Sequence, residues 1–163
     1  MAELTNLESK LGEVIGLAMA AQAAGDKISK MVEDRTLLQT LKRMKAEAAA
    51  AEERATEIAS SLEGKKTAVL DEARETKGKG SKMMSTYLDD SADALDGFEF
   101  LTMAEAGEVG HWKVLRQMAT AGGNAQLIEL AEWQIPIQEQ HFQDVQAGCL
   151  TLAIEEDPDQ PAS

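Results

Sequence analysis

Apolar residues recur at helical spacing along most of the 163-residue chain and predict four long amphipathic helices. The predicted helices cover residues 4–32, 36–62, 87–121 and 125–154. Thr5 or Asn6 can cap the first, and one of residues 89–91 the third. Gly122 and Gly123 end the third helix, because glycine readily adopts the left-handed conformation that terminates helices. The pattern therefore predicts an all-α fold, a four-helix bundle.

Residues 64–86 form a different kind of segment, rich in lysine and glycine. We expect a connection with a short helix near Val69 and Ala73 that carries the chain back along the bundle. The second and third helices would then be parallel, joined by a crossover. In an alternative topology the second helix continues through Gly64 and turns at residues 78–80, which gives four antiparallel helices. We favour the crossover because the alternative would place Lys66 on the buried seam.

Composition agrees with a helical bundle, since 44% of residues are hydrophobic, only 4% are aromatic and three are proline. The length suits a single domain, residues 1–155, followed by a polar, acidic tail at 156–163 that we expect to be disordered. The net charge of −13 argues against nucleic acid as a partner, because phosphates would be repelled.

Cysteine content and hydropathy indicate the cellular compartment in which the protein is expected. Cys149 is the one cysteine, so the chain forms no internal disulfide. The first residues lack the basic start and apolar run of a signal peptide, and no run of eighteen apolar residues could span a membrane. We expect a cytoplasmic protein that does not associate with membranes.

Two carboxylates interrupt the apolar stripe of the third predicted helix. Glu105 lies near the middle of the stripe, and Glu108 lies one turn further, at its flank. A buried ionised carboxylate costs several kcal/mol unless it is paired, hydrogen-bonded or bound to a cation. These two residues are therefore the first candidates for a functional site.

The fourth predicted helix also places polar residues, Gln134, Gln138 and His141, within its apolar stripe. Counted from the turn near Gly122, residues 138 and 141 lie level with Glu105 and Glu108. Two carboxylates and an imidazole on facing helices suit a transition metal, iron or manganese, bound by Glu105, Glu108 and His141. A buried hydrogen-bond network with no metal accounts for the same pattern.

Weaker candidates surround this layer. His111 follows Glu108 at i+3 but points toward the edge of the stripe, which suits a residue that supports a metal ligand, or one at the surface, as well as a ligand itself. On the first two helices, Gln22, Glu47 and Glu52 lie on or beside the stripes. Gln134 and Gln138 are expected as hydrogen-bonding neighbours of the three principal candidates.

The chain resembles the ferritin-like superfamily over most of its length. The features that carry the resemblance are the Gly-Lys-Lys at 64–66, LDGFEFLTMAEAGEVGHWKVL at 95–115 and AEWQIPIQEQHFQDV at 131–145. Such a resemblance implies a four-helix bundle with a crossover. In relatives such as rubrerythrins it also implies a glutamate on one helix and Glu-x-x-His on the next, twice over, holding two irons.

This sequence departs from that ligand pattern. Glu105 or Glu108 matches the glutamate of the third helix, and His141 matches the histidine of the fourth. Gln138 stands where Glu-x-x-His requires a glutamate, and Gln22 stands near the expected glutamate of the first helix. On the second helix neither Glu47 nor Glu53 is followed by a histidine three residues on. The resemblance therefore implies half of a di-iron site.

Three functional hypotheses follow from the sequence. The first is a residual metal site with a role in metal binding or oxidative-stress protection. The second is a degenerate, metal-free ferritin-like bundle that acts as a structural or interaction protein. The third is a bundle cavity for a small organic ligand or haem, with His141 or His111 as the axial ligand. In each case we expect a homodimer formed through the alanine-rich or the outer apolar faces.

Overall fold

A computed structural model describes residues 2–162, and its secondary structure is entirely helical, with no β-strand in that range. The five helices are α1 (Asn6–Ser29), α2 (Arg35–Ser61), α3 (Lys66–Tyr87), α4 (Ala94–Gly122) and α5 (Ala125–Ala153). None of these five is long and apolar enough to cross a membrane. The all-α class is confirmed, but the prediction of four helices is wrong because the segment expected to be a link forms α3.

The start of α4 differs from the sequence prediction. Tyr87 is the last residue of α3, and α4 begins at Ala94 rather than at Tyr87. The Asp93 side chain accepts a hydrogen bond from the Asp96 amide, and the Asp96 side chain accepts one from the Asp93 amide. This reciprocal capping box fixes the helix start, so the caps expected at residues 89–91 are wrong.

The other helix ends agree with the sequence to within a few residues. Thr5 caps α1 in a capping box with Glu8, as the sequence suggested. Gly123 has a φ of 66° and terminates α4 in the left-handed conformation. Asn124 then caps α5, so α4 and α5 form a tight antiparallel hairpin.

A sharp break separates α2 from α3. Helix α2 ends at Ser61, and Gly64 adopts a φ of 72°, a conformation that favours glycine. Gly78 and Gly80, where the alternative topology required a turn, lie inside α3. The continuous helix through Gly64 is therefore wrong, and the expected short helix is in fact 22 residues long.

Helix α3 packs closely along α1. A Cβ atom on Gly12 would lie 2.8 Å from the Val69 carbonyl oxygen, and one on Gly16 would lie 2.4 Å from the Ala73 carbonyl oxygen. Residue numbers rise together along this contact, so α1 and α3 are parallel. The two glycines allow the α3 backbone to approach α1, which explains why a lysine- and glycine-rich segment is held as a helix.

Helices α2 and α4 both run antiparallel to α1. The cross-helix contacts are Gln22–Glu52 and Asp26–Lys45 for α2, and Glu13–His111 and Ile28–Gly97 for α4. In each pair of contacts the residue number falls on one helix as it rises on the other. Both helices therefore present their middle turns to the middle of α1.

A polar layer divides the apolar core into two clusters. One cluster holds Leu11–Ala18 of α1 together with Ala51–Ala59, Trp112–Ala119 and Leu127–Ile135. The other holds Ala24–Val32 together with Leu37–Met44, Phe98–Leu101 and Val145. On α4 the gap between the clusters contains residues 105 and 108, and on α5 it contains residues 138 and 141. The bundle therefore places its buried polar groups near the middle of its length.

Candidate functional site

Five polar side chains are buried in the described core, and all five were indicated by the sequence pattern. They are Glu105 and Glu108 on α4, and Gln134, Gln138 and His141 on α5. Each is at most 5% exposed. Their spacing of three or four residues keeps them on the inward face of each helix, which is why they share the stripe with apolar residues.

Glu105 lies at the centre of this group. The Gln138 side-chain amide donates a short hydrogen bond to Glu105 Oε2. The Gln134 amide donates in turn to Gln138 Oε1, at 3.2 Å. The same Glu105 oxygen lies 3.5 Å from Nδ1 of His141. These contacts confirm that Glu105, Gln138 and His141 occupy one layer of the bundle.

His141 lies between two carboxylates from different helices. Its Nε2 atom is 3.0 Å from Oε2 of Glu47 on α2, and its Nδ1 atom faces Glu105 on α4. Burial by itself lowers the pKa of His141, but hydrogen bonding and charge from Glu105 and then Glu47 outweigh burial, so the pKa is raised. A protonated His141 would donate to Glu47 and face Glu105 with its second N–H.

A chain of polar contacts joins His141 to the protein surface. Glu47 accepts a hydrogen bond at 3.0 Å from Arg43, one turn earlier on α2, and Arg43 also pairs with Asp144 on α5. The Arg43 side chain is 43% exposed. Arg43 and Asp144 were not among the residues predicted from the sequence, although the i, i+4 spacing of Arg43 and Glu47 is typical of an ion pair.

Glu108 has no comparable partner. No hydrogen bond or ion pair from the described residues reaches its carboxyl group. Burial raises the pKa of Glu108 well above its usual range, and the neighbouring charge of Glu105 raises it further. Glu108 therefore favours the neutral acid.

Two cavities lie on either side of Glu105. A cavity of about 10 Å³ is bounded by Glu105, Gln138 and His141 together with residues of α1 and α2. A larger cleft of about 190 Å³ lies between α1, α3 and α4, and its walls include Glu105, Glu108 and His111. Glu108 and His141 thus line different cavities, although the sequence grouped them as ligands of one ion.

The weaker candidates divide between two places. Glu47 reaches His141, whereas Glu52 accepts a hydrogen bond from the Gln22 amide. Gln22 also donates to the Ala18 carbonyl oxygen at 3.2 Å. The Gln22–Glu52 pair joins α1 to α2, and no contact between described residues connects it to Glu105.

His111 stands outside the polar layer. Its Nδ1 atom is 3.4 Å from Glu13 Oε2 and 3.4 Å from Lys10 Nζ, and its side chain is 43% exposed. Burial and then the positive charge of Lys10 lower the pKa of His111, and Glu13 opposes them. The structure places His111 on the wall of the larger cleft, next to surface ion pairs.

The polar layer offers few side chains that could act as metal ligands. Within residues 2–162 no group of three or more histidine, cysteine, aspartate or glutamate residues has an arrangement that could hold a metal ion. The two ring nitrogens of His141 point in different directions, with Nε2 toward Glu47 and Nδ1 toward Glu105. One ion therefore cannot be bound by a single ring nitrogen together with both glutamates. Glu105 and Nδ1 of His141 are the pair that can converge on a single ion.

That pair has suitable spacing. Ligand bonds of about 2.0–2.2 Å to a transition metal place two neighbouring ligand atoms roughly 3–3.5 Å apart. The observed separation of 3.5 Å is long for a hydrogen bond but suits two ligands of one ion. The adjoining cavity of about 10 Å³ is close to the volume that holds one water-sized particle. The spacing is compatible with one ion, whereas the layer lacks the ligand set of a di-iron centre.

The chain matches no protein-family model, and no curated protein or solved structure is significantly similar to it. The resemblance to the ferritin-like superfamily therefore remains a prediction from the residues that carry it.

Proposed function

We propose that this chain is a ferritin-like bundle in which Glu105 and His141 bind one transition-metal ion, iron or manganese. The observation that carries the proposal is the separation of 3.5 Å between His141 Nδ1 and Glu105 Oε2, beside a cavity of about 10 Å³. A carboxylate oxygen and an imidazole nitrogen are ligands that both metals accept. A bound cation would also offset the cost of burying the Glu105 charge.

Glu47 supports the proposed site from the other side of the imidazole ring. Histidine ligands of metals commonly donate their second N–H to a carboxylate, which fixes the tautomer and the ring orientation. Glu47 lies 3.0 Å from Nε2 of His141, so it is in place to accept that hydrogen bond. This arrangement would leave Nδ1 free of a proton and directed toward Glu105.

Gln138 and Glu108 have other roles in this proposal. The Gln138 amide holds Glu105 by a hydrogen bond and, as a neutral group, adds no charge to the site. Glu108 lines the larger cleft and is not assigned as a ligand. With two protein ligands, the remaining coordination positions would be filled by water, and binding would be reversible.

A role in metal binding or oxidative-stress protection is the function that this site would support. Iron or manganese would supply one-electron chemistry, while the two apolar clusters on either side would limit access of water. The ferritin-like topology belongs to the same proposal. Helices α2 and α4 are both antiparallel to α1, and α3 would be the crossover connection that makes this arrangement possible.

Metal analysis of protein prepared without a histidine tag or chelator tests the proposal. After loading with Mn²⁺ or Fe²⁺ and dialysis, we expect up to about one ion per chain, with weak, pH-dependent affinity. Glu105→Ala and His141→Ala should each abolish uptake, whereas Glu57→Ala, an exposed glutamate of α2, should not. Uptake below about 0.1 equivalent in the wild type would contradict the proposal.

A metal-free structural role is the second candidate. It is favoured by the position of His141 between Glu47 and Glu105, where an imidazolium would pair with both carboxylates. The bundle would then act through its surface, which includes the exposed side chains of Leu150 and Ile154 at the end of α5. Proton NMR distinguishes the two, because a metal at Nδ1 would prevent protonation of His141 whereas the metal-free network would preserve it.

A further inference from the structure

The larger cleft is an apolar pocket with a carboxyl group on its wall. It lies between α1, α3 and α4, and its volume is about 190 Å³. Apolar residues that line it are Ala21, Ala24, Met83, Met84, Phe100 and Met103. The size is comparable to that of an engineered apolar cavity of about 150 Å³ that binds benzene. A ligand with a hydrocarbon body of one ring would fit.

Glu108 adds a carboxyl group to the largely apolar wall of this cleft. Its side chain is 95% buried, since 5% of its surface is exposed, and it lines the cleft. No hydrogen bond or ion pair from the described residues reaches its carboxyl group. A carboxyl group that opens on the cleft without a protein partner can accept hydrogen bonds from a ligand there, so a ligand with N–H donors would bind with a specific gain.

The cleft contains acidic groups but no lysine or arginine to complement them, and the one histidine on its wall, His111, has a lowered pKa. Glu105 and Glu108 both line it, whereas no lysine or arginine does. Lys10, the basic residue next to His111, is paired with Glu13. The missing complement in the cleft is therefore a cation with several N–H donors.

We propose that this cleft binds a small primary amine, an ammonium group attached to a hydrocarbon body about the size of a benzene ring. Binding of the ammonium would favour the ionised form of Glu108, whose proton would leave to solvent. The ammonium would then donate to Glu108 and lie near Glu105, and so offset the repulsion between the two carboxylates. The hydrocarbon body would pack against Met83, Met84 and Met103, whose flexible thioether side chains adapt to irregular shapes. This proposal does not depend on the metal site.

Binding of benzylamine to the metal-free wild-type protein provides the first test. Benzylamine should bind about ten- to hundredfold more tightly than benzyl alcohol, which has the same ring and no charge, and phenylacetate should not bind. In spectra of protein labelled with ¹³C in its methionine methyl groups, the signals of Met83, Met84 and Met103 should shift. The signal of Met44, which does not line the cleft, should remain unchanged.

A matched pair of variants locates the ammonium. Glu108→Gln keeps the shape of the side chain but cannot carry a negative charge, so it should weaken benzylamine binding about ten- to hundredfold. Benzyl alcohol should bind the variant as it binds the wild type, which also shows that the cleft has kept its shape. Glu99→Gln, the same substitution at an exposed position of α4, should leave both affinities unchanged.

Three outcomes would overturn the proposal. The first is equal binding of benzylamine and benzyl alcohol to the wild type. The second is unchanged benzylamine affinity in Glu108→Gln. The third is binding whose methionine shifts lie outside the cleft. Metal uptake should be unchanged in Glu108→Gln, because Glu108 is not a ligand of the proposed metal site. Failure of the amine proposal would therefore leave the metal proposal intact.

Discussion

Nδ1 of His141 and Oε2 of Glu105 face each other at 3.5 Å between two apolar clusters of the bundle core. The opposite ring nitrogen of His141 lies 3.0 Å from Glu47. This unequal pair of distances distinguishes the two sides of the ring. The Glu47 contact has ordinary hydrogen-bond geometry, whereas the Glu105 contact lies at the limit of a hydrogen bond, and the proposed cation would lie on that side.

The two histidines of the chain should titrate on opposite sides of the ordinary histidine pKa of 6.5 in metal-free protein. The pKa of His141 is raised because Glu105 and Glu47 outweigh burial, and the pKa of His111 is lowered by burial and Lys10. NMR titration of the two imidazole rings measures both values. Glu47→Gln should lower the pKa of His141 and leave that of His111 unchanged.

The raised pKa of His141 also predicts how stability depends on pH. The folded state binds the His141 proton more tightly than the unfolded state, so its stabilising contribution is complete below pH 6.5 and is lost as pH rises through the folded-state pKa. Urea unfolding of metal-free wild type and His141→Gln from about pH 5.5 to 8.5 measures it. The stability difference between them should shrink toward alkaline pH, and a difference that grew would contradict the assignment.

Glu108→Gln should stabilise the metal-free protein at neutral pH. Because the pKa of Glu108 is raised in the folded state, ionisation in the unfolded state destabilises the fold increasingly as pH rises above the ordinary value of 4.5. A neutral glutamine removes that penalty. Thermal melts should show the gain at about pH 7 and none at about pH 4, where the acid is protonated in both states. Glu99→Gln is the control for an exposed glutamate on the same helix.

Glu105→Leu should destabilise the protein by about 1–3 kcal/mol, because it leaves the Gln138 amide buried without an acceptor. A double-mutant cycle with Gln138→Leu tests this cause. Removing both partners should cost less than the sum of the single changes, by a coupling of about 0.5–3 kcal/mol. If the two changes in the free energy of unfolding were additive, the Glu105–Gln138 hydrogen bond would contribute nothing to stability.

The polar layer could be predicted from the sequence because helical periodicity is a strong signal. Glu105, Gln138 and His141 fall within apolar stripes, and the short turn at Gly123 allowed the two helices to be aligned by counting. Glu47 could not be distinguished from Glu52 in the same way. Glu47 and His141 are 94 positions apart in the sequence, so small errors in the assumed rotation and height of each helix decide which glutamate reaches the ring.

The full length of helix α3 could not be predicted, although a short helix near Val69 was expected, because the stability of the helix comes from packing. Glycines at 78 and 80 lower helix propensity, and the lysines around them suggested an exposed link. The close approach of α3 to Gly12 and Gly16 supplies the compensating contact, but nothing in the local sequence indicates which face of α1 receives it. Tertiary packing therefore overrode propensity along this segment.

Gly16→Ala should destabilise the bundle by about 1–3 kcal/mol through overpacking, because its Cβ would lie 2.4 Å from the Ala73 carbonyl oxygen. Gly110→Ala is the matched control, since a Cβ there meets nothing within 4 Å. That change should stabilise the protein by about 0.5–1 kcal/mol through helix propensity. Urea unfolding of the two variants measures both effects, and a loss at Gly110 equal to that at Gly16 would contradict the α1–α3 packing.

The position of a bound ion tests the central claim most directly. Crystals of the tag-free protein soaked in Mn²⁺ can be measured at the manganese absorption edge, where an anomalous difference map locates the metal. Our account predicts a peak within bonding distance of both Nδ1 of His141 and the Glu105 carboxylate, with Glu47 on Nε2. Absence of a peak at that position, with Nδ1 of His141 donating directly to Glu105 instead, would contradict it.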